Sequence, residues 1–286
     1  MPGEGAHMCR WLAYTGSPIL LDELLYEPEH SLIEQSRFAR LGAETTNGDG
    51  YGLGLYEGDG DVPPTVVRST TPAWSDLNLR ELAGHFRSRL FFAHIRASTG
   101  SAVQQTNCHP FRYGRWLWMH NGAITDFGRL KRDLVFAVDP ELYPAIEGST
   151  DSEVMFFLAL TFGLRQDPPA AVERMVGFVE WTGRRYGVEN AVQMTVATSD
   201  GERVWSFRYS SQNRSRSLFY STEVRTLRQL HPEVFIREVL SDDARIVVSE
   251  PLRDLPGAWN EVPESTYIVT EHGLHEVHPF HPVSPP

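Results

Sequence analysis

Short apolar runs broken by Gly, Pro, Asn and Asp dominate this chain and predict strands and buried helices joined by tight turns. Residues 9–15 (CRWLAYT) predict a first strand. Between 19 and 40, Leu20, Leu21, Leu24 and Leu25 recur at helical spacing, followed by a second short helical stretch around SLIEQSRFA. A Gly/Asp-rich turn leads into a strand at 51–57, and a further turn into a strand in PTVVRST. Ser75 is an N-cap signal for a helix over 75–86.

Two apolar strand-like runs, RLFFAHIRAS (89–98) and RWLWMHNGAI (115–124), flank a polar loop that holds Cys108 and His109. Helices are predicted over 125–134, 149–164 and 168–187. The second is apolar nearly all round, which predicts deep burial. From about 190 onward strand follows strand, and PFHPVSPP predicts a loose tail from about 279. Strands, then helices, then strands again predict a layered α+β fold rather than alternating βαβ units. No linker-like stretch divides it, so 9–286 is read as a single domain.

Composition narrows the function classes. Lys+Arg 26 against Asp+Glu 37 gives a net charge of −11, which argues against nucleic acid or anionic lipid as the main partner. No apolar run approaches the ~18–20 residues that cross a bilayer, and the opening MPGEGAHMC lacks the basic and apolar regions of a secretory signal. With two cysteines, Cys9 and Cys108, a disulfide framework is not expected and the compartment indicated is a reducing cytoplasm.

Four places carry candidate chemistry. Cys9 precedes the first strand; a cysteine that begins a mature chain has its own α-amine as a base, with a pKa of roughly 8, although a lone Cys also serves as a small buried hydrophobe. His120-Asn121-Gly122 ends a strand, where a side-chain amide beside an unshielded Gly N–H supplies two donors for an oxyanion, or else makes a plain turn. Arg96 leaves an apolar strand, where its guanidinium either grips a carboxylate or joins a surface ion pair. Thr150 and Glu153 form a capping box that puts Asp151 in the first helical turn, where a carboxylate can meet a ligand ammonium or simply serve the helix dipole.

Taken in order, an initial Cys-Arg, an Arg after a strand, N-x-H-P, H-N-G and a T-D-[ST]-E helix start resemble the class II glutamine amidotransferases. The motifs span about Cys9 to Leu160. That family has the four-layer αββα sandwich of the N-terminal nucleophile hydrolases. MCRWLAYTGSP, DGYGLGLY and the stretch from Ser249 to Pro263 resemble its small stand-alone members, whose relatives include an ergothioneine-pathway γ-glutamyl amidase and a glutathione-degrading subunit. The resemblance implies Cys9 as nucleophile and Asn121 with the Gly122 N–H as oxyanion hole. It implies that Arg96 binds the α-carboxylate of the glutamyl head and Asp151 its α-ammonium, with Thr99 a further substrate-binding residue. The implied reaction cleaves the γ-amide of glutamine or a γ-glutamyl compound through a thioester, with no metal or organic cofactor. Alternatives are a subunit that donates ammonia to a synthase or serves a peptidase partner, and an inactive binding scaffold.

The sequence departs from the family pattern in three places. The family's His after the Arg-x-x-Thr stretch is missing at Gly100, Cys108 fills an Ala slot, which points to a structural role, and residues 1–8 precede the nucleophile. They are read as a leader or misassigned start, so that the active chain begins at Cys9. His272, His275, His278 and His281 recur every third residue, a step that suits neither one strand face nor one helix face, and are read as part of a solvated tail rather than a metal site. Trp116, Trp118, Trp205 and Trp259 are read as core and pocket wall. The leaving group is assigned to loops outside the shared motifs, around Asn47-Gly48-Asp49 and 210–216.

Overall fold

Alternation along the first strand sets the architecture. β1 (Arg10–Leu20) turns Leu12 and Tyr14 to one side and Trp11 and Ala13 to the other, and all four are buried, so the strand needs cover on both faces. The structure, a computed structural model that describes residues 9–41, 46–57, 62–98, 101–231 and 240–285, supplies that cover in four layers.

After β1 come α1 (Asp22–Leu25), α2 (Leu32–Arg37), β2 (Tyr51–Tyr56), β3 (Thr65–Ser69), α3 (Leu77–His85) and β4 (Arg87–Ile95). The middle of the chain forms β5 (Phe111–Tyr113), β6 (Trp116–Ile124), α4 (Phe127–Phe136), α5 (Asp151–Thr161) and α6 (Pro168–Arg185). Then follow β7 (Val192–Ser199), β8 (Val204–Ser210), β9 (Phe219–Ser221), α7 (Val224–Leu230), β10 (Arg245–Val248), β11 (Trp259–Glu261), β12 (Thr266–Glu271) and β13 (Leu274–Pro279). Among the described residues the strands make a seven-stranded sheet, β11-β9-β10-β1-β4-β2-β3, and a six-stranded sheet, β13-β12-β8-β7-β6-β5.

Three apolar layers hold this stack together. Trp11, Phe92, Leu117, Met119, Ala197 and Ile268 meet between the sheets. Leu12, Phe91, Leu53 and Ile95 face α1–α3 on the outside of the first sheet. Trp118, Val196 and Phe207 face α4–α6 on the outside of the second. Each fully buried Leu or Phe in these layers contributes roughly 1.5–3 kcal/mol. α5 is buried from Ser152 to Leu160, as its all-round apolar sequence requires. Its N-cap is Thr150, whose hydroxyl accepts from the Glu153 N–H (3.2 Å). Glu153 does not close the expected box, because its buried carboxylate accepts from Glu147 N (2.9 Å) and Gly148 N (2.7 Å) instead.

Several expectations need correction. The first strand does not stop at 15. It bulges between Thr15 and Ile19 and re-pairs with β4 through Ile19 and Leu20, so the leucine spacing yields only short helices beyond Leu21. β5, β11, β13 and α7 fall where no element was expected. The C-terminal stretch is not loose at its start. Phe280 is buried against Phe207 and Tyr209, and the His281 and Val283 N–H groups bond to Glu173 on α6. His275 and His278 belong to β13 rather than to a tail, on opposite faces of the strand, and His275 bonds to Thr270 Oγ1 (2.9 Å). Among the described residues no cluster of His, Cys, Asp and Glu could hold a metal ion.

Candidate active site

The interior between the sheets changes chemistry at one end. On β1 the residues facing inward are Ala13 and Trp11, and one step further out in the same alternation stands Cys9. On β4 the inward series Leu90, Phe92 continues to His94 and Arg96, and on β6 Leu117, Met119 continues to Asn121. Arg10 pairs with Ile95, so Cys9 and Arg96 are neighbours across the ladder. Trp11 Nε1 donates to Thr195 Oγ1 (3.2 Å), fixing the two sheets to each other beside this end. Close approach by a loop completes the wall: a Cβ on Gly52 would lie 2.0 Å from the His109 carbonyl oxygen, so only glycine lets 107–110 pass between the sheets.

The result is a cavity of about 460 Å³ lined by Cys9, Arg96, His109, His120, Gly122 and Asp151 among others. Cys9 Sγ lies 3.4 Å from both the N–H and the carbonyl of Ala97. Burial raises the thiol pKa above its ordinary value, against the Ala97 N–H bond and the charges of Arg96 and Arg10, so at neutral pH Sγ keeps its proton and needs a base. The Cys9 carbonyl is held by Asn121 Nδ2 (2.8 Å) and by Arg10 Nη1 (3.1 Å). Arg10 in turn pairs with buried Glu250 (2.9 Å), which also takes the Arg40 and Leu41 N–H groups and His30. Burial alone would raise the Glu250 carboxyl, but these partners outweigh it and hold it below the usual range.

Asn121 thus spends one of its two N–H donors on the nucleophile's own main chain and keeps the other. Gly122 has φ +149°, and a Cβ there would stand 1.9 Å from the Gln193 carbonyl oxygen. Gly122→Ala is therefore expected to cost about 2–4 kcal/mol, read as a lower denaturant midpoint; wild-type stability in this variant would show that β6 and β7 can part without loss. His120 donates from Nε2 to Gln193 O (3.4 Å), with Nδ1 beside the Ser152 hydroxyl (2.8 Å). Burial lowers its pKa despite the pull of Asp151, so the ring is neutral.

Arg96 is 3% exposed, yet its guanidinium bonds only to neutral oxygens: Ser98 Oγ, Ser101 Oγ (2.8 Å), and the Ala102, Ser101 and Asp49 carbonyls. Among the described residues no carboxylate lies within ion-pair distance of it. A buried cation so placed is incomplete without an anion. Asp151, at the start of α5, accepts from the Ile124 N–H (2.8 Å) and from Ser152. Buried Asn107 ties these two charges into one frame. It bonds to the Ala102 carbonyl that also receives Arg96, and to Ser149 just before α5.

Cys9, Arg96, Gly122 and Asp151 therefore share one cavity, and Asn121 touches Cys9 from behind. Thr99 lies outside the described residues. Cys108 is fully buried, beside the Ser69 and Gln104 carbonyls, and burial raises its thiol. Asn47 is buried against 35–36, and the Asp49 carboxylate accepts from Ser98 N (2.7 Å), bracing the Arg96 loop. Sequence reading gave no role to His120, Asn107 or Glu250. Their motifs were visible, but their partners are far away in the chain.

A family model described as glutamine amidotransferases class-II matches residues 28–283. The chain is 34% identical to the probable glutamine amidotransferase DUG3 of Saccharomyces cerevisiae, over 96% of this chain and 84% of that one. It is 28% identical to the γ-glutamyl-hercynylcysteine sulfoxide hydrolase of Mycolicibacterium smegmatis, over 90% of this chain and 93% of that one. A glutamine aminotransferase class-II domain protein from Silicibacter pomeroyi superposes with a TM-score of 0.73 at 31% identity, covering 96% of this chain and 100% of that one. Glutamine phosphoribosylpyrophosphate amidotransferase from B. subtilis, at 16% identity, shares the fold with a TM-score of 0.62, covering 95% of this chain and 49% of that one.

Proposed function

The chain belongs to the class II glutamine amidotransferases, and on that premise we propose that it is an amidohydrolase cleaving γ-glutamyl amides through Cys9. The observation that carries this reading is the buried Arg96, without a carboxylate partner among the described residues, in one cavity with a carboxylate, Asp151, and a thiol, Cys9. A γ-glutamyl head is a zwitterion. Arg96 takes its α-carboxylate bidentately, Asp151 its α-ammonium, and the γ-carbonyl is left over Sγ.

In the active form the chain opens at Cys9. While Met8 is attached, the Cys9 nitrogen is an amide and has no basicity. Freed, the α-amine takes the thiol proton, and the thiolate attacks the γ-carbon. The oxyanion is met by the second Asn121 N–H and the Gly122 N–H. Collapse expels the amine, which takes the proton held by the α-amine, and leaves a γ-glutamyl thioester. Water, deprotonated by the same amine, then releases glutamate and the thiol. Both cysteines are free thiols, which supports a reducing compartment such as the cytoplasm, and among the described residues no helix is long and apolar enough to cross a membrane.

The test is release of the amine from γ-glutamyl amides beside the matching butyryl amides, which lack the α-amine and α-carboxylate. Hydrolysis of the former only is expected, and equal turnover of both would end the head-group reading. Arg96→Met is expected to lower kcat/KM by roughly two orders of magnitude, about 3 kcal/mol, because Asp151 alone must then orient the head.

A further inference from the structure

Two sequence segments, MCRWLAYTGSP and the stretch from Ser249 to Pro263, meet at one buried ion pair. β1 and β10 run antiparallel with Leu12 opposite Val248. Beyond that pair the Trp11 N–H donates to Ser249 Oγ (3.0 Å) and the Ser249 N–H to the Trp11 carbonyl (3.1 Å). One step further, Glu250 comes opposite Arg10. Arg10 is 1% exposed and Glu250 2%.

The guanidinium of Arg10 is held on three sides. Nε donates to Glu250 (2.9 Å), Nη2 to the Leu41 carbonyl, and Nη1 to the carbonyl of Cys9 (3.1 Å). Glu250 is itself fixed by His30 and by the Arg40 (2.8 Å) and Leu41 (3.1 Å) N–H groups. Gln35 Nε2 bonds to the His30 (3.0 Å) and Glu250 (3.2 Å) carbonyls and so ties α2 to the pair. An apolar pair of similar volume would join two strands as well as a buried ion pair does. It could not set a positive charge on the nucleophile's own carbonyl.

That charge bears on the base. In a chain that opens at Cys9, the α-amine and the carbonyl that receives Arg10 share one Cα. A cation there disfavours the ammonium form. At its ordinary pKa of roughly 8 an α-amine is mostly protonated at pH 7, and a protonated amine cannot take the thiol proton. Other groups also face Cys9. Arg96 on β4 and Asp151 on α5 act in opposite senses, and both are taken up by the glutamyl head. The charge of Arg216, between β8 and β9, reaches Cys9 as well, and Lys131 on α4 lines the same cavity. His109 and His120 are kept neutral by burial, and burial raises the Cys108 thiol. Of these cations, Arg10 is the one bonded to the main chain of Cys9.

We propose that Arg10, aimed by Glu250, holds the freed Cys9 α-amine in its neutral, proton-accepting form, which makes the two positioning residues for the base. The assignment rests on the γ-glutamyl reading of the Cys9 site. Its test is the pH dependence of kcat/KM for glutamate release from γ-glutamylmethylamide, in protein whose start at Cys9 is verified by intact mass. The acid limb of that profile reports the base of the free enzyme.

In the wild type the limb is expected about one pH unit below the ordinary amine value. Arg10→Met leaves the Glu250 charge behind, and the limb should rise by about one unit. Glu250→Gln leaves Arg10 unopposed, and the limb should fall by roughly half a unit. Arg10→Lys keeps the charge and should hold the limb nearer to wild type than Arg10→Met does, whatever its rate. The position of the limb does not depend on how much of a preparation is folded. Rates that drop with an unmoved limb, or a limb that moves the same way in Arg10→Met and Glu250→Gln, would reduce the pair to a structural one and leave the γ-glutamyl reading standing. A wild type that releases no glutamate would overturn that reading itself.

Discussion

Cys9→Ala is expected to lower glutamate release by at least ~10⁴-fold while leaving the affinity for a γ-glutamyl ligand nearly unchanged. The loss is large because among the described residues no second thiol is accessible: Cys108 is fully buried, and burial raises its thiol. Affinity survives because the head is held by Arg96 and Asp151, whose frame through Asn107 and Ser149 does not involve the thiol. Binding of glutamate or a slow γ-glutamyl analogue, followed by calorimetry, separates lost chemistry from lost structure. The same assay probes the chain start. Protein that retains residues 1–8 is expected to approach the alanine variant in rate, since burial keeps Sγ protonated and the amide nitrogen cannot relieve it. Full activity in protein shown by intact mass to carry Met1 to Met8 would sink the amine-as-base mechanism.

Much of the fold was legible because both sheets are covered on both faces. Strand segments such as 90–93 and 116–119 are apolar without a break, and α5 is apolar nearly all round, so their burial could be read directly. What escaped has a common cause. β5 and β11 are three-residue strands fixed by pairing with neighbours, and their own residues carry too little periodicity to declare them. Helical spacing at Leu20 lost to a bulged strand, because pairing with β4 satisfies the backbone there.

The site was legible residue by residue but not as a geometry. The two-residue period that gives Trp11 and Phe92 to the inter-sheet core also hands Cys9, Arg96 and Asn121 to its open end, and this could be extrapolated from sequence alone. Contacts between distant segments could not. Nothing local announces that Glu250 anchors Arg10 or that Asn107 joins the Arg96 loop to α5.

The inward alternation also places His94 deep in the structure, and this makes the fold sensitive to mild acid. The His94 and His109 rings stack with centroids 4.2 Å apart, both buried, and burial pushes the His94 imidazole down to about 3 against a weaker pull upward from the His120 main chain. His109 is driven well below its ordinary value by burial and by His94, His120 falls with burial, and His275 is pushed down to about 3. Above pH ~6.5 both folded and unfolded chains hold these rings neutral, and stability is complete. As pH falls through that value the unfolded chain binds protons that the folded one refuses, so stability declines until the folded values near 3 are reached. His94 alone removes about 2 kcal/mol between pH 6.5 and 5, against a typical total of roughly 5–15 kcal/mol. The other three act in the same direction. Glu23 and Glu153, raised by burial, titrate in the opposite sense but are outnumbered, and Glu250, held low, matters only at lower pH. Guanidinium melts at pH 7.5 and 5.0 should therefore show a clear fall in midpoint, with a shallower pH slope in His94→Asn whatever its absolute stability. A midpoint independent of pH across this window would mean that these imidazoles accept protons in the folded protein, and that the inter-sheet end is wetter than its packing implies.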